Sequence, residues 1–232
     1  MLGISAVEWS IIGLSLRVSI VAVLLTLPLS YALAWLLARR RFTGRLLLDA
    51  AIHLPLVVPP VVTGWLLLLL FGRAGPIGGW LEAQFGITLV FHWTGAALAA
   101  AVMALPLMVR AMRLSIEAVD RRLVDAARVL GASPLHAFLK ITPPLSAPGI
   151  AAGAMLGFAR SLGEFGATIT FASNIAGETR TLPLAIYSGL QLPGAEAQVA
   201  RLAVISIVLS IAALIVSELL VRRSVGKRAH VL

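Results

Sequence analysis

The chain reads as an all-α membrane protein of about five transmembrane helices, with a sixth crossing as the open question. Three observations carry this. Of its 232 residues, 59% are apolar and only 12% are charged; soluble domains run at about 45–50% apolar and ~25% charged. Apolar stretches long enough to cross a bilayer recur along the chain. Most of its Lys and Arg residues fall in segments that alternate crossings place on one side. Intrinsic disorder, which needs low hydrophobicity and high charge, is excluded. With no cysteine, disulfides, thiolate metal sites and thiol nucleophiles are excluded too.

A crossing helix needs about 20 mostly apolar residues. Five stretches qualify, at about 11–38, 46–71, 94–109, 147–171 and 202–221. The third is the shortest, and charges interrupt the fourth. Residues 75–91 and 181–192 are candidates for a sixth, short or re-entrant crossing. The first ten residues hold Glu8 and no Lys or Arg. That is unlike the positive start of a signal peptide, so the first stretch is read as a retained span.

The net charge of +9 raises the question of nucleic acid. Position answers it. Arg39, Arg40, Arg41 and Arg45 follow the first span. Arg110, Arg113, Arg121, Arg122, Arg128 and Lys140 lie between the third and fourth, and Arg222, Arg223, Lys227 and Arg228 follow the fifth. In a five-span chain all of these share one side. The positive-inside rule then puts the N-terminus outside and the C-terminus in the cytoplasm. Such arginines are membrane flanks, so no nucleic acid partner is expected. Trp80, Phe85, Phe91 and Trp93 gather in the outer loop before the third span, at the headgroup depth that aromatic rings favour.

The spans are not plain rods. Pro28, Pro55, Pro59, Pro60 and Pro106 each remove a backbone donor and bend a helix. A helix starting only at Val61 and ending at Phe71 would be roughly 16 Å long and could not cross. The second span is therefore broken or strongly kinked, either for tight packing or as a hinge. In the fourth, Arg160 and Glu164 are one turn apart and can pair. The pair is either a self-neutralising structural one or part of a polar path. Gly153 and Gly157 form a small-xxx-small face. Arg17 and Glu218 are read as snorkelling to the interface, and His53 and His92 as non-metal.

The loop between the third and fourth spans, about 117–144, is the informative one. Leu123, Ala126, Ala127 and Leu130 share a helical face. Asp120 suits an N-cap and Gly131 the left-handed residue that closes a helix. Ser133-Pro134 reads as N-cap and first residue of a second short helix, running to about Ile141 and stopping at Pro143-Pro144. A helix–turn–helix of this kind suits a groove on a partner protein. A helix lying on the membrane and a DNA reader are the other readings, the last set aside because two spans tether it.

Asp125-Ala126-Ala127, three residues, Gly131, nine residues and Ile141-Thr142-Pro143-Pro144 resemble the EAA loop of binding-protein-dependent ABC importer permeases. The chain departs from the pattern Glu-Ala-Ala-x3-Gly-x9-Ile-x-Leu-Pro at Asp125 and Pro143. Asp keeps the charge; the extra proline bears on where the second helix ends. Arg160-Ser161-Leu162-Gly163-Glu164-Phe165-Gly166-Ala167-Thr168-Ile169-Thr170-Phe171 and Gly177-Glu178-Thr179-Arg180-Thr181 resemble the oxyanion permeases of that family. So does His53 through Val62. The resemblance points to molybdate first, with tungstate and sulfate or thiosulfate as alternatives, and covers almost the whole chain.

The resemblance implies one permease domain over 1–232 with the type I ABC importer fold, in a bacterial cytoplasmic membrane. It implies a second copy of the chain, a cytoplasmic ABC ATPase and a periplasmic molybdate-binding protein as partners. It makes Asp125, Ala126, Ala127, Gly131, Ser133, Pro134, Ile141 and Pro144 the ATPase-coupling residues. Arg160, Ser161, Glu164, Thr168 and Thr170 are candidates for the path, on the ground of polarity inside a span. The chain has no Gly-x4-Gly-Lys-Ser/Thr, so it is read as no enzyme and as holding no cofactor, with ATP and Mg on the partner. A secondary oxyanion transporter would be expected to show internal repeats, and none is evident. A scaffold or a membrane enzyme fits less well, since no catalytic cluster stands out.

Overall fold

The computed structural model describes residues 4–226, with side chains placed up to Val216 and again at Leu219. The readings that rest on the side chains of Glu218, Arg222, Arg223, Lys227 and Arg228 lie outside the described residues. Among those residues the chain is helical, with no strand: α1 (Ala6–Arg39), α2 (Arg45–Val57), α3 (Pro60–Phe71), α4 (Pro76–Phe85), α5 (Trp93–Glu117), α6 (Arg121–Val129), α7 (Pro134–Leu162), α8 (Gly166–Phe171), α9 (Leu182–Gly189) and α10 (Glu196–Gly226).

Among the described residues three helices are long and apolar enough to cross a membrane: α1, α5 and the 196–216 part of α10. The bent pair α2–α3 makes a fourth if counted as one span. α7 has 29 residues, ample length, but its glycines, prolines and Arg160 dilute its hydropathy. Each of the five apolar stretches is thus helical. The two candidates for a sixth are not crossings. α4 and α9 have 10 and 8 residues, roughly 15 and 12 Å.

α5 is the central helix. Of its most apolar window 67% is buried, against 33% for α1 and 11% for α10, which puts α10 on the rim. The alanines explain the centre. Ala96, Ala97, Ala100 and Ala101 pack with Val18 and Ala22 of α1, because methyl side chains let helices approach closely. On the other side α7 answers with glycines. A Cβ on Gly157 would sit 2.5 Å from Met108 Sδ, and one on Gly149 would sit 2.1 Å from Ser115 Cβ. The small face read from Gly153 and Gly157 is therefore the α5–α7 seam. Gly149→Ala is expected to destabilise the protein by about 1–3 kcal/mol, the usual cost of overpacking, as a lowered thermal midpoint in detergent.

The third stretch was read short. α5 continues past Val109 to Glu117 because its last turns carry partners: Arg113 pairs with Glu117 at 2.9 Å and with Asp49 of α2 at 3.3 Å. The second stretch is broken, as read, and turns through 116° between Val57 and Pro60. At 13 and 12 residues, α2 and α3 are roughly 20 and 18 Å long and neither spans alone. The turn serves packing. It lays α3 on α8, where a Cβ on Gly64 would meet Ala167 O at 2.6 Å.

The expected stop at Pro143-Pro144 does not occur. α7 runs unbroken from Pro134 to Leu162 with Pro143, Pro144 and Pro148 inside it. Pro143 and Pro144 remove the helical partners of the Leu139 and Lys140 carbonyls, and both residues are exposed, close to water. Ser146 Oγ meanwhile donates to Thr142 O at 2.7 Å. The fourth stretch also ends early. The helix stops at Leu162, and a short break leads to α8 instead of continuing to Phe171.

The two ends of the bundle differ. At one end Arg39 donates to the Ile116 and Val119 carbonyls, both at 2.8 Å, and Arg121 to Ala38 O at 3.3 Å. This gathers the C-terminal ends of α1 and α5 with α6. At the other, Ser5 and Glu8 form a capping box on α1, and Arg201 of α10 pairs with the buried Glu8 at 3.0 Å.

Candidate functional site

The helices α6 and α7 build a hairpin at the basic end. Asp120 caps α6 by accepting from the Arg122 N–H at 2.9 Å. Gly131 takes φ +92, and the Ala132 N–H donates to Ala127 O at 3.0 Å, so the end carbonyls of α6 are met by the turn itself. Ser133 Oγ accepts from the His136 N–H at 3.3 Å, and Pro134 opens α7.

No residue of α6 is buried. Val129 and Leu130 are each 88% exposed, and Leu123, Leu135 and Leu139 are exposed as well. The apolar face read from the sequence is real, and the described residues leave it largely uncovered. The structure sets Asp125, Ala126, Gly131, Ser133 and Pro134 on the exposed hairpin, with Ala127 half-buried. Ile141 and Pro144 lie further along α7, roughly 10 and 15 Å past Pro134.

The second group sits where α7 ends. Arg160 Nη1 lies 2.6 Å from Glu164 Oε2, with Glu164 2% exposed and Arg160 a quarter exposed. Glu164 Oε1 also accepts from the Ala167 N–H at 2.8 Å, so this carboxylate pins the start of α8. Ser161 is buried on the neighbouring face. Thr168 is fully buried, and Thr170 donates back to Gly166 O at 2.9 Å. Arg160 and Glu164 are thus brought together, whereas the buried Ser161 hydroxyl has no hydrogen-bond partner among the described residues. Thr168 and Thr170 are packed within α8, whose start lies against Pro60 of α3.

Sequence reasoning missed the pairs that fasten the opposite end. Arg17 stacks 3.7 Å over the Trp93 ring; it does not merely reach for the interface. His92 Nδ1 lies 3.1 Å from Glu178 Oε1, which also accepts from the Trp93 N–H at 3.3 Å. The His92 contact, then the Trp93 N–H, hold the Glu178 carboxyl below its ordinary range. Glu8 and Arg201 are 193 positions apart and His92 and Glu178 are 86 apart. No local pattern signals such partners.

These features agree with known proteins. The molybdenum transport system permease protein ModB of Escherichia coli (strain K12) is 58% identical over 217 residues, covering 94% of this chain and 95% of that one. ModB of Haemophilus influenzae is 57% identical over 216 residues, covering 93% and 94%. Among solved structures, a chain of a bacterial alginate ABC transporter in complex with alginate pentasaccharide-bound periplasmic protein aligns with a TM-score of 0.71. It has 18% identity and covers 94% of this chain and 80% of that one, so the fold is that of a type I ABC importer permease. The model of the binding-protein-dependent transport system inner membrane component matches residues 27–226. With a bundle of apolar helices, a charge-sorted end and the projecting α6–α7 hairpin, the chain belongs to that family of multi-pass inner membrane proteins.

Proposed function

We propose that this chain is the permease subunit of an ATP-driven importer that moves molybdate across the cytoplasmic membrane. The observation that carries the proposal is the α6–α7 hairpin. It presents an apolar, uncovered face beside basic residues, and a single chain gains nothing from leaving such a surface in water. A cleft on a cytoplasmic ATPase is its occupant. Asp125, Ala126, Ala127, Gly131, Ser133 and Pro134 form the contact, and Ile141 and Pro144 lie on the rod that carries its movement into the bundle. The ATPase holds ATP and Mg, and this chain needs neither cofactor nor catalytic group. The hairpin end is then cytoplasmic, with the N-terminus outside and the C-terminus inside, which places the basic end by the positive-inside rule. The residues 1–232 act as one permease domain.

Two copies enclose the path, and a periplasmic molybdate-binding protein delivers the anion. An unescorted dianion in hydrocarbon faces a prohibitive desolvation cost. Arg160 offers a donor, and Glu164 beside it cancels most of its charge. A conduit needs this balance, because an anion held too tightly does not leave. Ser161 adds a hydroxyl; Thr168 and Thr170 support α8. The relatives' molybdenum permeases support the substrate.

The test is uptake in proteoliposomes that hold the permease–ATPase complex and its binding protein. Molybdate is expected to be taken up with ATP and to resist competition by excess sulfate. Preference for tungstate or sulfate would reassign the substrate. Uptake that ignores ATP depletion but collapses with a protonophore would replace the ABC reading with a secondary transporter.

A further inference from the structure

A cavity of about 410 Å³ lies where the inner end of α1 meets α6 and the start of α7. Its walls hold four guanidinium groups, Arg39, Arg40, Arg121 and Arg128, against one carboxylate, Asp125. Among the described residues the arginines in ion pairs are Arg73, Arg113, Arg160 and Arg201, and the cavity's four are not among them. Arg39 and Arg121 each use one nitrogen on main-chain carbonyls, which fixes them in place. Arg40 lies 5.6 Å over the Trp35 ring, and Arg128 is exposed. Trp35 and Phe138, in edge contact at 5.4 Å, line the same cavity.

A second cavity, about 370 Å³, lies along the same two helices and is closed on its third side by α10. It is lined by apolar side chains, among them Ile20, Leu24, Phe158 and Ala212. Its α1 lining runs from Leu24, roughly 16 Å from Trp35, back to Leu16, roughly 28 Å away, so the groove lies at and beyond the middle of a ~30 Å core and is separate from the basic cavity.

We propose that the basic cavity holds the phosphate of an anionic phospholipid from the adjacent leaflet. Guanidinium forks match phosphate oxygens. The aromatic pair suits headgroup depth, and basic pockets between membrane helices take anionic headgroups. A free phosphate would account for the arginines but not for the aromatic pair Trp35 and Phe138 beside them. Because Arg39 ends α1, Arg40 caps it and Arg121 and Arg128 come from α6, the bound phosphate ties the hairpin to the bundle. The proposal goes beyond the transport function and does not depend on which substrate is carried.

The test is native mass spectrometry of the full-length chain in detergent with phosphatidylglycerol or phosphatidylcholine. The wild type is expected to retain phosphatidylglycerol preferentially, and excess inorganic phosphate is expected not to displace it. The variant R40Q/R128Q should lose roughly ten-fold or more of this retention, given what each basic residue contributes near an anionic surface. R41Q/R45Q removes equal charge at the same end but outside the cavity, and should retain it. Three results would each overturn the site: equal retention of both lipids, equal loss in the two arginine variants, or displacement by phosphate, which would mark a free-anion site.

Discussion

Gly131→Val is expected to leave the chain in the membrane and abolish co-purification with the ATPase, with ATP-driven uptake falling to background. The cause is backbone conformation alone. At φ +92 the residue is in the left-handed region, and a Cβ there would meet nothing within 4 Å. Left-handed conformation costs an L-residue about 1–2 kcal/mol, and a β-branched side chain more. A hairpin without a buried residue in α6 has little packing to offset that, so the turn re-forms with its exposed face misdirected. Because the cause is φ and not crowding, the series has an order: Gly131→Asn should be near wild type, since Asn tolerates this region, with Ala intermediate and Val worst. Pull-down of the ATPase and uptake, each normalised to membrane-inserted permease, measure it. Full activity of the Val variant would remove the coupling role of the turn.

Arg160→Leu is expected to cost about 3–5 kcal/mol of stability, the penalty for stranding the partner of a buried ion pair, and to abolish uptake. Glu164 is 2% exposed and has Arg160 at 2.6 Å. Loss of uptake in the single variant therefore cannot be assigned to the path by itself. The double variant R160L/E164Q separates the roles. Gln keeps an acceptor for the Ala167 N–H, which Glu164 serves at 2.8 Å, and no charge remains to strand. Its thermal midpoint should return towards wild type while uptake at low molybdate stays impaired. Recovery of both would make the pair purely structural.

The sequence read well wherever a feature is local. Asp120 and Ser133 cap their helices, Gly131 closes the turn between them, and the apolar face of α6 follows from a period of 3.6. Each depends on a few neighbouring residues. The proline readings divide on the same line. Pro59-Pro60 breaks its helix and Pro143-Pro144 does not, although both pairs lack the same donors. Pro60 begins a new helix that turns away to pack on α8, whereas Pro143 and Pro144 stay inside α7, which runs on against α5. What the following segment packs against separates the two pairs, and a proline carries no record of it.

By itself the sequence determined that the chain is a helical membrane protein, which end of it is basic, and that a capped hairpin projects between two spans. Composition, charge position and short-range dihedral preference are properties of the chain alone. Only the tertiary structure decided that α7 runs on from the hairpin into the core, that α5 is the central helix, and that Glu164 is committed to both Arg160 and α8. It also decided that Glu8 meets Arg201, 193 positions away. Those outcomes turn on how closely Ala and Gly faces let helices approach and on which distant charges then fall within reach, and spacing along the chain encodes neither.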